Sequence, residues 1–380
     1  LIIALVSGLI VKEITDNRYL SLISGFLFLS IKYVFIWGPF ARVDMLGLMF
    51  SVLGIYWIIK YQDKDNLYWA DIFFLLSVFT KQSFFAAPIA AYIWLIVKNR
   101  KKGIKHSLYF FGSGFILLSL LTLITKGQFF LHLVLYNMDD ISWQTVRHFM
   151  RDQLNLYLFL ILLGVSGALM LLKNKRWMIP LYLLTSFLFS LTVGKIGSSW
   201  NYLVEFYAVI SICVPMFLYY IFEYKRNISK IAVLVVIIIF IFHIWGWYHT
   251  PYGEQWTFTP EISHNYAQEK QVLNLVKNTE GPVISENMGF LALANKKVYF
   301  EPFEFTQLLN QGYWNQDKLL QDIKSGKFKY IIINFNISQP GWRLTRFNRE
   351  FLKTVRFHYS INDIRGKYRI YEPTPEFSGF

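Results

Sequence analysis

The chain has 380 residues, of which 54% are hydrophobic, 19% aromatic and only 16% charged, against roughly 25% charge in a soluble globular domain. A purely soluble fold is excluded, and the formal charge of +14 does not describe a nucleic-acid surface: its Lys and Arg residues fall in short gaps between apolar runs, as topology signals do. The single cysteine, Cys213, sits inside an apolar run, which excludes a disulfide framework and a cysteine-based metal site.

Ten apolar segments are expected as membrane helices, at 1–11, 20–37, 45–60, 67–80, 83–97, 107–125, 153–172, 178–193, 202–222 and 228–247. A full span takes about 20 residues, so the first segment is partial. The chain opens on apolar Leu1 with no charged leader, and the expectation is that part of the protein precedes it. The fourth and fifth segments are short and parted only by Lys81-Gln82. They read either as one hairpin or as two broken helices.

The gap between the second and third segments holds Phe40-Ala41-Arg42-Val43-Asp44. An ionised pair wedged between spans is costly and marks either a site or an interfacial anchor. Alternate gaps differ in charge. One set carries Lys12 and Arg18; Lys60 and Lys64; Lys98, Arg100, Lys101, Lys102 and Lys105; Lys173, Lys175 and Arg176; and Lys225, Arg226 and Lys230. The other carries Arg42; Lys81; Lys126, Arg147 and Arg151; and Lys195. The positive-inside rule puts the richer set in the cytoplasm. Arg42, Lys81, the 126–152 and 194–200 gaps and everything after 247 are then expected outside.

Two outer gaps stand apart. The first, 126–152, holds Asp139-Asp140 beside the apolar Val134, Met138, Ile141 and Phe149, which reads as a surface-lying amphipathic piece with the two aspartates in a solvated turn. The second, Gly194 to Tyr202, is rich in Gly and Ser and leads into a span carrying Glu205. A carboxylate one turn inside a membrane helix must face protein or a polar cavity.

Composition changes near 251, so 1–250 is expected as a multi-span helical domain and 251–380 as a soluble, extracytoplasmic α/β domain. Helices are expected at 264–278 and 314–325. Strands are expected at 282–285, 297–300, 367–371 and 330–335, the last a continuous apolar run of the kind covered on both faces.

Several stretches carry a resemblance. Arg42-Val43-Asp44-Met45-Leu46, followed by Leu48-Met49-Phe50 and Gly54, is one; Phe79-Thr80-Lys81-Gln82 with Pro88 beyond is a second; Gly197-Ser198-Ser199-Trp200-Asn201-Tyr202-Leu203-Val204-Glu205 is a third. Pro282-Val283-Ile284-Ser285-Glu286 and Glu301-Pro302-Phe303-Glu304-Phe305 add to them. In order and sidedness they resemble the GT-C class of membrane glycosyltransferases, near the bacterial protein O-mannosyltransferases and aminoarabinose transferases. The resemblance implies sugar transfer from a polyprenyl-phosphate carrier to a lipid, protein or glycan acceptor on the outer face of the inner membrane. Its partners would be that carrier and membrane lipids, with no nucleic acid. The family's main catalytic carboxylate lies in the first outer loop, which would fall before Leu1.

Within this chain the resemblance implies a secondary catalytic role for Asp44, in orienting the acceptor or in holding a divalent metal ion, the one cofactor it allows for. Arg42 would pair with Asp44 or with phosphate. Lys81 and Lys195 are cations on tight turns suited to phosphate, although Lys81 also reads as a lysine snorkelling at a hairpin. Asn201, Tyr202 and Glu205 would line the sugar pocket. Asp44, Lys195 and Glu205 are expected to face one cavity, with Arg42 and Lys81 at its rim. The competing function is a polytopic lipid or glycan transporter or flippase. It would favour symmetry between halves or mid-span charges, and neither is evident in the sequence.

Overall fold

In the computed structural model, the described residues are 1–40, 42–64, 67–224, 238, 241, 260–338 and 341–374. The chain divides into two compact units, Leu1–Thr250 and Pro251–Phe380. It is mostly helical, with a small sheet in the second unit. Of the expected segment at 228–247 only residues 238 and 241 are described, and the gap cations Lys225, Arg226 and Lys230 lie outside the described residues.

The first unit runs α1 (Ile2–Thr15), α2 (Arg18–Ser30), α3 (Lys32–Trp37), α4 (Val43–Tyr61), α5 (Tyr68–Thr80), α6 (Ala86–Lys98), α7 (Arg100–Ile124), α8 (Gln128–Leu133), α9 (Trp143–Lys173), α10 (Met178–Ser190) and α11 (Val204–Tyr224). Among the described residues, four helical stretches are long and apolar enough to cross a membrane: Val43–Tyr61, Arg100–Ile124, Trp143–Lys173 and Trp200–Phe222. The remaining apolar helices are shorter. The expected 20–37 segment is two helices, because Ile31 takes an extended conformation (φ −67°, ψ 123°) and breaks the run. The fourth and fifth segments are separate helices joined by a turn at 81–85. The expected surface piece at 126–152 is reorganised. Its second half, from Trp143 on, is the start of α9, capped by the Ser142 side chain on the Thr145 amide.

Burial orders these helices. The apolar window of Trp200–Phe222 is 83% buried and that of Arg100–Ile124 only 6%. The α11 helix is therefore the axis of the bundle and α7 a peripheral strut. Helix α11 packs on α9, α2, α1 and α10. Close approach to α9 needs Gly167, where a Cβ would lie 2.0 Å from the Cys213 carbonyl oxygen. The α4–α5 pair is closed by Ser77, whose Oγ donates to the Gly47 carbonyl at 2.8 Å and meets Ser51 Oγ at 2.9 Å.

The second unit is built from α12 (Pro260–Asn278), β1 (Val283–Ser285), α13 (Met288–Leu293), α14 (Pro302–Asn310), α15 (Asp317–Lys324), β2 (Tyr330–Ile333), α16 (Arg349–His358), β3 (Tyr359–Arg365) and β4 (Tyr368–Pro373). The sheet order is β1-β2-β4-β3. The β1–β2 pair is parallel and the other two pairs are antiparallel. Alternation along β2 puts Ile331 and Ile333 with Phe347, Phe351 and Val355, and Ile332 with Val272, Phe290 and Ile370. Both faces of this interior strand are thus covered, as its unbroken run of isoleucines requires. The expected strand at 297–300 does not form. Phe300 instead stacks on Phe351 at 5.1 Å, in an aromatic core that fixes the segment without a ladder. The expected helix at 314–325 begins at Asp317, where the Asn315 side chain accepts from the Asp317 amide.

Candidate functional site

The charge-bearing stretch 42–44 ends one connection and opens a helix. Arg42 is extended (φ −117°, ψ 153°) and Asp44 lies in the first turn of α4, where the helix dipole favours a carboxylate. Asp44 is 1% exposed. Its Oδ1 accepts from Lys81 Nζ at 2.5 Å and from Asn201 Nδ2 at 2.7 Å. Its Oδ2 is 3.3 Å from Arg42 Nε and, among the described residues, has no hydrogen-bond partner. Arg42 itself is half exposed, with its guanidinium carbon 4.5 Å from the Trp37 ring centroid.

Lys81 follows the last turn of α5 in extended conformation. Besides Asp44, its ammonium meets the face of Tyr202 at 4.0 Å. A carboxylate and a ring face thus hold one cation from two sides. Residues 44, 81 and 201 come from three different helix ends, and their junction is the polar knot of this end of the bundle.

A second lysine–aspartate pair sits nearby in the fold. Lys195 Nζ is 3.4 Å from Asp139 Oδ2. Backbone pairing makes this contact structural: Ser142 N donates to Gly194 O at 2.8 Å and Ile196 N donates to Asp140 O at 3.1 Å. Gly197 closes the turn with φ 81°, a conformation that favours glycine. Asp139 is therefore not part of a simply solvated turn. It is a buttress for Lys195, with its side chain only 10% exposed.

Lys81, Lys195 and Tyr202 line one cavity of about 550 Å³ together with Gln82. The rest of its wall is mostly apolar and includes Phe110, Phe111, Phe115 and Leu118 of α7. Gln82 donates to the Leu133 carbonyl at 2.9 Å and ties the Lys81 turn to α8. Two cations at one part of a mostly apolar pocket of this size give it the polarity pattern of an amphiphilic anion.

The arrangement differs from the expected one. Asp44 does not line the cavity, being buried behind Lys81, with Asn201 on the same carboxylate oxygen. Glu205 is in a separate buried network, accepting from the Tyr182 hydroxyl at 2.9 Å and bonded to Ser51. The cause is the central position of α11: Glu205 in its first turn and Asn201 in the 3-10 turn (Trp200–Leu203) that leads into it are both buried in the bundle. Arg42 likewise does not contribute to the cavity wall.

Other buried polar groups were not evident in the sequence. Asp71 accepts from Tyr92 at 2.7 Å and meets His106 Nδ1 at 2.6 Å, all three buried. Gln153 joins Tyr33 and Tyr207 at 2.9 and 2.6 Å. Lys32 is buried at the α2–α3 break. A residue's own position gave no signal for these pairings, which join residues 21 to 120 apart in the chain. A buried aspartate and lysine inside apolar runs are the trace that could have been followed.

No protein-family model matches this chain, and no curated protein matches it.

Proposed function

We propose that the chain is part of a membrane glycosyltransferase that moves a sugar from a polyprenyl-phosphate carrier to a lipid, protein or glycan acceptor on the outer face of the plasma membrane. The observation that carries this reading is the cavity with Lys81 and Lys195 in an otherwise mostly apolar wall. The apolar wall suits the first isoprene units and the two ammonium groups suit the phosphate. The four helices that, among the described residues, are long and apolar enough to cross a membrane support insertion. The unequal gap charges support the orientation, with residues 42, 81 and 195 and the 251–380 unit outside.

In the reaction, the acceptor's nucleophile attacks the anomeric carbon. The bond from that carbon to the phosphate oxygen breaks, and polyprenyl phosphate leaves with the electron pair. The acceptor's proton goes to a general base, most simply a carboxylate. Charge grows on the leaving phosphate, and cations fixed beforehand at that point lower the barrier. Lys81 and Lys195 fill this role. Asp44 acts through Lys81, as a positioning residue that holds the ammonium in place. The local charge of Arg42, Lys81 and Lys195 against Asp44 and Asp139 leaves one net positive charge for the phosphate. Among the described residues no three His, Cys, Asp or Glu side chains cluster to hold a metal. Asp44 Oδ1 is taken by Lys81 and Asn201, and Oδ2 faces the Arg42 guanidinium at 3.3 Å.

The test is a transfer assay on the full-length protein with a panel of polyprenyl-phosphate sugars, read as carrier release and product formation. Carrier release that depends on the acceptor supports the reading. A protein that moves the intact carrier-linked sugar between leaflets without cleaving it is a flippase and overturns it.

A further inference from the structure

A second cavity, of about 460 Å³, lies at the other end of the same helices. Helix α4 starts beside Asp44 and runs to Tyr61, and at 1.5 Å per residue that separates the two sites by about 27 Å. The cavity is formed where α1, α4, α6 and α9 end and α10 begins. Its wall carries three cations, Lys98, Lys175 and Arg176, against one carboxylate, Glu13. The remainder is largely apolar and includes Ile59 and Val97, with Trp94 and Trp177.

We propose that this cavity binds the phosphodiester headgroup of an anionic phospholipid from the inner leaflet. Four helix C-termini converge here, and their carbonyl dipoles oppose an anion. The cations outlast that demand. Arg176 uses Nη1 on the Ile14 carbonyl at 2.6 Å, which leaves other N–H groups of its five-donor fork. Lys98 lies 3.3 Å from Asp63, whose side chain is 88% exposed and weakly held, and 2.6 Å from Gln62 Oε1. Lys175 is exposed and, among the described residues, makes no ion pair. The backbone turn that ends α9, with Arg176 N donating to Leu171 O at 2.9 Å, fixes Lys175 and Arg176 side by side at the mouth.

The two tryptophans decide between a soluble anion and a lipid. Trp and Tyr concentrate at the depth where headgroup meets acyl chain. A wall of aliphatic side chains below two cations has no use for a fully hydrated anion. Basic pockets between helices on the cytoplasmic side are suited to anionic headgroups. The inference rests on the orientation given under Proposed function, and its test is separate from sugar transfer.

The test uses full-length protein in nanodiscs of phosphatidylcholine titrated with phosphatidylglycerol, with retained lipid counted by native mass spectrometry after detergent release. Phosphatidylglycerol should be retained at least tenfold over phosphatidylcholine. The pair Lys98→Gln and Lys175→Glu should lower that ratio about tenfold while the thermal midpoint stays unchanged. Arg176 is kept because its bond to Ile14 is structural. Glycerol phosphate at millimolar concentration should not displace the lipid. Equal retention of the two lipids, an unchanged ratio in the double variant, or full displacement by glycerol phosphate would each overturn the proposal. Transfer activity assayed on the same samples reports on the other cavity alone, so the two readings fail independently.

Discussion

Replacing Asp44 with Asn removes one charge and almost no volume, so it isolates what the carboxylate does for Lys81. In the native arrangement the ammonium is 2.5 Å from Asp44 Oδ1, and the two side chains are 13% and 1% exposed. Removing one partner of a buried pair costs about 3–5 kcal/mol, mostly because the other charge is left uncompensated. Three features temper the cost here: Asn still offers an oxygen to Lys81, the Tyr202 face remains, and Lys81 is not fully sealed. About 2–4 kcal/mol is therefore expected at the site, which bounds the loss in transfer at about 1,000-fold, at 1.4 kcal/mol per tenfold. The assay is carrier release by the full-length protein, with Lys81→Gln and the double variant completing a cycle. Because the two residues act as one unit, the double variant should be scarcely worse than the poorer single variant. Glu205→Gln serves as the contrast. It alters a network that does not line the cavity, and its effect on transfer should stay within about threefold when expression is matched. Full activity of Asp44→Asn, or strictly additive losses in the cycle, would refute the assignment of Asp44 as the holder of Lys81.

Lys195→Ala should raise the KM for the carrier-linked sugar about tenfold and leave the acceptor KM within twofold, since one phosphate contact is worth about 1–2 kcal/mol; steady-state kinetics with each substrate varied in turn will show it. Cysteine introduced at Ser198 should label only from the outer side and at Asn174 only from the cytoplasmic side, against a silent background because Cys213 is buried; equal labelling from one side would remove the orientation. In the second unit, the Tyr359 hydroxyl accepts from Phe328 N at 3.2 Å and donates to Phe328 O at 2.9 Å, and burial pushes its pKa up to about 12. The folded value lies above the unfolded one near 10. Its contribution is therefore fully present below pH 10 and is lost as pH rises through about 12, amounting to roughly 2–3 kcal/mol. The urea midpoint for proteolysis within 260–374 should fall across that window, and less steeply in Tyr359→Phe.

Much of the helical framework was legible because apolar run length and charge placement are local properties. The breaks show where locality ended. Ile31 is an unremarkable residue in an apolar run, and what breaks the run is bonding from elsewhere: the Lys32 amide donates to the Tyr157 hydroxyl, 125 residues away. The start of α9 at Trp143 was hidden because Arg147, His148 and Arg151 lower the local hydropathy without interrupting the helix. In the second unit β2 was evident from its isoleucines. Strand β3, read Tyr-Ser-Ile-Asn-Asp-Ile-Arg, is mostly polar and exposed and bulges between Ile361 and Asp363, so its period is lost. At the site, Arg42, Asp44, Lys81 and Asn201 were each singled out, and the structure brings these four together. Their order in depth was not legible, because it depends on which face of α11 is innermost. The Asp139 buttress of Lys195 was missed for the same reason: a loop aspartate carries no mark of the partner that the fold will give it.

The central claim is that the cavity beside Lys81 and Lys195 holds the carrier's phosphate and first isoprene units. Its most direct test is a polyprenyl-phosphate probe with a photoreactive group on its second isoprene unit, cross-linked to the full-length protein in membranes and mapped by peptide mass spectrometry. The account predicts labelling on α7 at Phe111, Phe115 or Leu118, competed by unlabelled carrier and lost when Lys81 and Lys195 are both changed to Glu. Labelling confined to other helices, or labelling at α7 that survives both charge reversals, would contradict it.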